Sequence, residues 1–213
     1  MVNLGRKLAD GLYGKLEFDF SCNRGHAFGE HYLHGVLNEI LASHIAPNET
    51  SLEPSFAAPA LQKPNSPGRK RELDFALVDR EDNSSFVHIE AKWAGSSHCK
   101  PNTILNDLGR LVVMKNSNPG STNLFVLAGG KDRVDHLLNS GLLAPQGAKR
   151  QRLLAYPFDS RVRTFNFDRN LRPTVKAELS SRLPFLPSGV HSTLYKPSHD
   201  NVPNWRVLVW RVQ

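Results

Sequence analysis

The chain is poor in cysteine: two in 213 residues, Cys22 and Cys99, with no CxxC spacing. That excludes a scaffold held by disulfides and fits free thiols in a reducing, cytoplasmic compartment. No apolar run approaches the roughly 18–20 residues that a membrane-crossing helix needs, so no membrane partner is expected. The opening stretch "MVNLGRKLADGLYGKLEFDF" lacks the continuous apolar segment of a secretory leader. Internal repeats and long low-complexity tracts are missing as well. What is present is ordinary for a folded domain, with 39% hydrophobic and 22% charged residues.

Charge is unevenly placed. The net formal charge is +7, yet residues 144–213 carry 12 Lys and Arg against 4 Asp and Glu, while the preceding part is close to balanced at 15 against 16. A basic last third suits a polyanionic partner, nucleic acid above all. An ordinary solvated basic surface is the plain alternative.

Periodicity sets the elements. In "GHAFGEHYLHGVLNEILASHIAP", Leu33, Val36, Leu37, Ile40 and Leu41 recur at helical spacing and Pro47 closes the run. "SLEPSFAAPAL" predicts an edge strand. "ELDFALVD", "REDNSS" and "FVHIEAKW" predict a hairpin. "NTILNDLGRLVVMKN" predicts a helix capped by Asn102 or Thr103. "TNLFVLAGG" predicts a buried strand, and "KDRVDHLLNSG" a helix ended by Gly141. "RVRTFNF" and "NWRVLVWRV" predict strands in the basic part, and the first 20 residues stay ambiguous. The order helix, three strands, helix, strand, helix makes the fold class α/β, a mixed central sheet flanked by helices. We divide it into a core at 1–143 and an appended, basic, β-rich extension at 144–213.

The chemistry lies in "FVHIEAKWAG". Residues two apart on a strand share a face, so Glu90 and Lys92 project together, with His88 beside them. Asp74, between Leu73 and Phe75 on the partner strand, comes near Glu90 across a hairpin. Neighbouring carboxylates raise each other's pKa, and a divalent cation relieves that conflict. Mg²⁺ suits oxygen ligands of this kind, and a lysine beside it can steer water or offset charge on phosphorus. Glu30, seven residues before Leu37, sits on the apolar stripe of its helix and is aimed at the sheet. The plain alternative is an Asp74–Lys92 salt bridge on a solvated sheet face.

Glu30, Leu73-Asp74 and Glu90-Ala91-Lys92 together resemble the PD-(D/E)XK nuclease superfamily, with its restriction-endonuclease-like core. The resemblance spans roughly residues 26–130. Leu73 stands where the family name has proline, a position that varies in the superfamily. It implies a Mg²⁺-dependent endonuclease, with Mn²⁺ as a substitute metal, acting on phosphodiester bonds. Asp74 and Glu90 would bind the metal, the Ala91 carbonyl would be a third ligand, and Lys92 would position or activate the water. Glu30 would bind metal directly or through water. Asn106, Asp107 and Arg110 lie on the next helix, which often flanks the active site in this superfamily, so one of them is expected to assist. DNA is the expected substrate and RNA the second choice. Nucleases of this kind often cut both strands as homodimers.

Basic residues at two places are expected to hold the nucleic-acid backbone: Arg69, Lys70 and Arg71 just before the Asp74 strand, and Arg161 and Arg163 in the extension. His31 and His34 lack HExxH spacing, and "LAGGKDR" lacks a P-loop pattern. His88 is either a substrate contact or a core histidine. His98 beside Cys99 is poor geometry for a nucleophile and its base.

Overall fold

A computed structural model describes residues 3–63, 70–146, 151–155, 162–199 and 204–213. The helices are α1 (Leu4–Ser21), α2 (Glu30–Ala42), α3 (Pro101–Ser117), α4 (Lys131–Leu138), α5 (Phe167–Asn170) and α6 (Pro173–Arg182). The strands are β1 (Thr50–Ala57), β2 (Glu72–Asp79), β3 (Ser85–Ala94), β4 (Thr122–Gly130), β5 (Arg163–Asn166), β6 (Gly189–Tyr195) and β7 (Trp205–Val212). They form one seven-stranded mixed sheet in the order β1-β2-β3-β4-β7-β6-β5. The β3–β4 pair is parallel and joined through α3, and all other pairs are antiparallel. The protein is therefore α/β.

Two apolar clusters lie on opposite faces. Leu8, Leu12 and Leu16 of α1 and Leu33, Leu37 and Leu41 of α2 pack on Phe75, Ile89, Ala91 and Val209. On the other face, Ile104, Leu108 and Leu111 of α3 pack with Phe125, Leu127 and Trp210. Odd-numbered β3 residues thus serve one face and even-numbered ones the other, as strand alternation requires.

Element ends differ from the sequence-based expectations in instructive ways. Helix α1 fills the ambiguous N-terminal stretch, with the Asn3 side chain accepting the Arg6 N–H at its start. Helix α3 begins at Pro101, and its N-cap is Lys100, not Asn102 or Thr103. Proline suits the first helical position because its missing N–H would have no partner there. Helix α4 ends at Leu138, and Gly141 follows in a 3-10 turn at φ +52°. Strand β7 lies in the middle of the sheet between β4 and β6. Residues beyond 143 thus supply three strands of the one sheet, and Trp210 is fully buried there, donating to Ala155 O at 2.7 Å.

Gly129, paired with Ala94, adopts φ +156°, and a Cβ there would lie 2.9 Å from the Ala94 carbonyl oxygen. Gly129→Ala is expected to cost about 2 kcal/mol, measured as a lower urea midpoint with an unchanged m-value.

Candidate functional site

The register Phe75↔Ile89 carries Asp74 level with Glu90. Beyond that pair the ladder stops, and the Ala91 N–H goes to the Asp74 carboxylate, donating to Oδ2 at 2.8 Å. On the other side of β2 the β1 register skips Ser55, which sits opposite Asp74 at φ +52°. The register stays one-to-one through Ser55, so the pairing is interrupted there without a bulge; the register shift of β2 lies at Leu77 and Val78, against β3. Asp74 thus stands where both neighbouring strands loosen.

The face bearing Glu90 and Lys92 is not solvated. Glu90 is 0% exposed and Lys92 7%. Helix α3 covers them, and its polar residues meet them. Lys92 Nζ lies 3.3 Å from Asp107 Oδ2, 3.8 Å from Glu30 Oε1 and 3.9 Å from Asp74 Oδ2. Arg110 Nη2 lies 3.0 Å from Glu90 Oε1 and 2.5 Å from Asp107 Oδ1. Arg110 Nη1 also donates to Glu72 O at 2.7 Å. Four elements therefore deliver Glu30, Asp74, Glu90, Lys92, Asp107 and Arg110 to one spot.

Charge in this cluster does not balance. Four carboxylates face one ammonium and one guanidinium. Burial pushes Glu90 well above the usual carboxylate range, and the Asp107 carboxylate adds to that against the pull of Arg110. Burial likewise raises Asp107, although Lys92 and Arg110 oppose it. For Lys92, burial alone would lower the pKa, but Asp107, Asp74, Glu90 and Glu30 outweigh it and hold the amine above its ordinary value. The four carboxylates thus favour the ammonium form of Lys92, a hydrogen-bond donor and a positive charge.

Both Glu90 carboxylate oxygens and Asp107 Oδ2 are buried without a hydrogen-bond partner. The contact of Glu90 with Arg110 is an ion pair that lacks hydrogen-bond alignment. Such orphaned oxygens, with Asp74 alongside, are the donor set that a hard dication takes. Among the described residues no three His, Cys, Asp or Glu side chains form a ready-made metal group. Asp74 and Glu90 stand level on β2 and β3, and they are the pair from which such an ion would draw its carboxylates. The Ala91 carbonyl, expected as a third ligand, accepts from Lys92 Nζ at 3.1 Å.

His34 belongs to no metal motif in the sequence, yet its Nε2 lies 3.8 Å from Asp74 Oδ2. It follows Glu30 by one helical turn, so the i,i+4 spacing was a usable signal. Asp107 and Arg110, two of the three α3 residues named from the sequence, both join the cluster. His88 is fully buried, with Nδ1 2.7 Å from Asn123 Oδ1 and Nε2 2.9 Å from Ser85 Oγ. It is a core histidine. Burial pushes the Cys99 thiol up to about 12, so it stays protonated and inert as a nucleophile.

The expected backbone contacts separate. Lys70 and Arg71 border a cleft beside Asp74. Arg163 lies on β5, the far edge strand, with β4, β7 and β6 between it and β3. At about 4.8 Å per strand that is roughly 19 Å away. Arg69 and Arg161 lie outside the described residues.

Comparison with family models, with curated proteins and with solved structures gives no match. The function is therefore argued from the chain's own residues.

Proposed function

We propose that the protein is a metal-dependent nuclease with a restriction-endonuclease-like core, hydrolysing phosphodiester bonds in DNA. One observation carries the proposal: Glu30, Asp74, Glu90 and Lys92, from one helix and two strands, converge at a buried, over-acidic cluster. Burying unbalanced carboxylates is costly, and a structural role would be served better by fewer of them. A site for a dication and a phosphate accounts for their number.

In this mechanism Asp74 and Glu90 would hold Mg²⁺ or Mn²⁺. The metal, when bound, supplies Lewis-acid polarisation of the phosphate and a more acidic water. Lys92 donates hydrogen bonds to the attacking water or a phosphate oxygen and offsets the negative charge that builds on phosphorus. Asp107 keeps Lys92 charged and aimed. Glu30, 28% exposed and 3.8 Å from Lys92 Nζ, would accept a hydrogen bond from the attacking water. In-line attack by water forms a new P–O bond as the P–O3′ bond breaks, and the proton the water loses is balanced by the one the departing oxygen gains, leaving a 5′-phosphate and a 3′-hydroxyl. Restriction, defence and DNA processing are all compatible settings.

One observation favours a second reading, a non-catalytic nucleic-acid-binding module of the same fold. Arg110 already sits 3.0 Å from Glu90 and supplies the positive charge that the metal would bring. Incubation with supercoiled plasmid, single-stranded DNA and RNA in Mg²⁺, Mn²⁺ or EDTA separates the two. Cutting in either metal and none in EDTA is the expected result. Salt-dependent binding without cutting selects the module. Neither binding nor cutting rejects both.

A further inference from the structure

A cleft of about 540 Å³ opens directly off Asp74. Its lining is mainly polar. Lys70, Arg71, Arg110 and Arg182 supply four cations against the carboxylates of Glu72 and Asp74. The near wall is the loosened β1–β2 edge at Ser55. The far wall is the C-terminal end of α6, from the basic last third of the chain.

That far wall is fastened in place. Lys63 Nζ donates to Ser180 O at 2.8 Å and to Ser181 O at 2.9 Å, and Arg71 Nη1 donates to Arg182 O. These bonds satisfy the last carbonyls of the helix, which would otherwise present negative charge to the cleft. The Arg182 side chain is engaged only at the surface, 2.9 Å from Glu178 with both partly exposed. A surface pair of that kind is worth little and is readily exchanged for another anion. Lys70 is exposed. On the floor, Asn106 Oδ1 and Arg110 Nε are buried without hydrogen-bond partners. Polar atoms left in that state are costly unless something entering the cleft meets them.

We propose that this cleft, with Lys70 and Arg182 on its two walls, holds a backbone phosphate next to the one attacked at Asp74. The ligand is the phosphodiester backbone of a nucleic acid. The proposal rests on the nuclease reading and deepens it: the contribution of the basic last third runs through Arg182 on α6 and not through Arg163 on the far edge. Arginine grips phosphate through two parallel N–H donors, lysine as a point charge. Neither reads sequence, so the cleft sets position on the strand and not base preference.

The test is binding of labelled duplex DNA, single-stranded DNA and RNA oligonucleotides in EDTA, where nothing is cut, across a salt series. Lys70→Ala and Arg182→Ala are compared singly and together with Arg80→Ala, an exposed arginine in the hairpin turn at the far end of β2. The double variant is expected to bind roughly tenfold more weakly, and its salt slope to fall by about 1, for the one phosphate that the two side chains hold together. Arg80→Ala is expected to stay within about twofold of wild type, because it changes net charge without touching the cleft. Which oligonucleotide shows the largest loss identifies the backbone that the cleft takes. A double variant that binds as wild type does, with wild-type cleavage in Mg²⁺ intact, overturns the cleft and leaves the nuclease. Weakened binding in the double variant, with a wild type that never cuts, keeps the cleft and removes the catalysis. A wild type that binds none of the three overturns the cleft.

Discussion

Glu90→Ala and Lys92→Met are each expected to lower DNA cleavage in Mg²⁺ by on the order of 10³-fold. The two fail for different reasons. Glu90→Ala removes one of two carboxylates available to the metal, so raising Mg²⁺ should recover part of the rate. Lys92→Met keeps the length of the side chain but removes the charge at which Asp107, Glu30 and Asp74 converge. Added metal should not rescue it. Loss of a buried cation also leaves carboxylates facing one another, at a cost of about 3–5 kcal/mol. Circular dichroism and urea unfolding therefore accompany the assay, and the isosteric Glu90→Gln provides a second inactive variant. Cutting that persists in folded Glu90→Ala and Glu90→Gln would sink the site assignment.

Glu90→Gln is also expected to make the metal-free protein more stable on the alkaline side of the ordinary glutamate range, by about 1–3 kcal/mol once Glu90 has lost its proton. Glu90 is held well above its ordinary value by burial and by Asp107. The folded state therefore keeps a proton that the unfolded chain gives up. Stability from that proton is fully present below the ordinary glutamate value. It is lost as pH rises through the raised one. Glutamine holds the same shape, needs no proton, and leaves Arg110 bonded to Asp107 and Glu72 O. Thermal melts of metal-free wild type should fall across that interval, and those of Glu90→Gln should stay flat. Mg²⁺ should raise the wild-type midpoint at high pH and leave the variant unmoved. A variant that melts lower than wild type at every pH, with the same slope, would contradict this account of the cluster.

The hairpin and the helices around it were legible because their apolar positions keep strict periods. Phe75 and Leu77 alternate on β2 toward the α1 and α2 side, and Leu33, Leu37 and Leu41 stack on α2. The approach of Asp74 to Glu90 followed from the hairpin, but their exact register did not: counted from Val78 and Ser85 an unbroken ladder would set Asp74 against Ile89, and the register shift after Leu77 brings Glu90 level with it. Less visible was the cover over the cluster. Asp107 and Arg110 look like solvent-facing polar residues among Leu105, Leu108 and Leu111, and only the packing of α3 on β3 turns them inward. Helix α1 was obscured because Gly5, Gly11 and Gly14 dilute the stripe of Leu8, Leu12 and Leu16. Strand β6 and helix α6 were missed for a related reason. "GVHSTLY" buries Val190, Ser192 and Leu194, a face with a serine in its centre, and α6 buries little beyond Leu179.

The central place of β7 bears on how the chain assembles. Strand β4 pairs with residues some 80 positions later, Asn123 with Val212 and Gly130 with Trp205. Until that late segment arrives, β4 has an open edge of Leu124, Val126 and Ala128 with unpaired backbone groups, a surface prone to joining other chains. During synthesis the first half of the sheet must therefore wait, and the closing of β7 between β4 and β6 is a long-range step of the slow kind. The nascent protein is vulnerable longest at the strand that neighbours its own site.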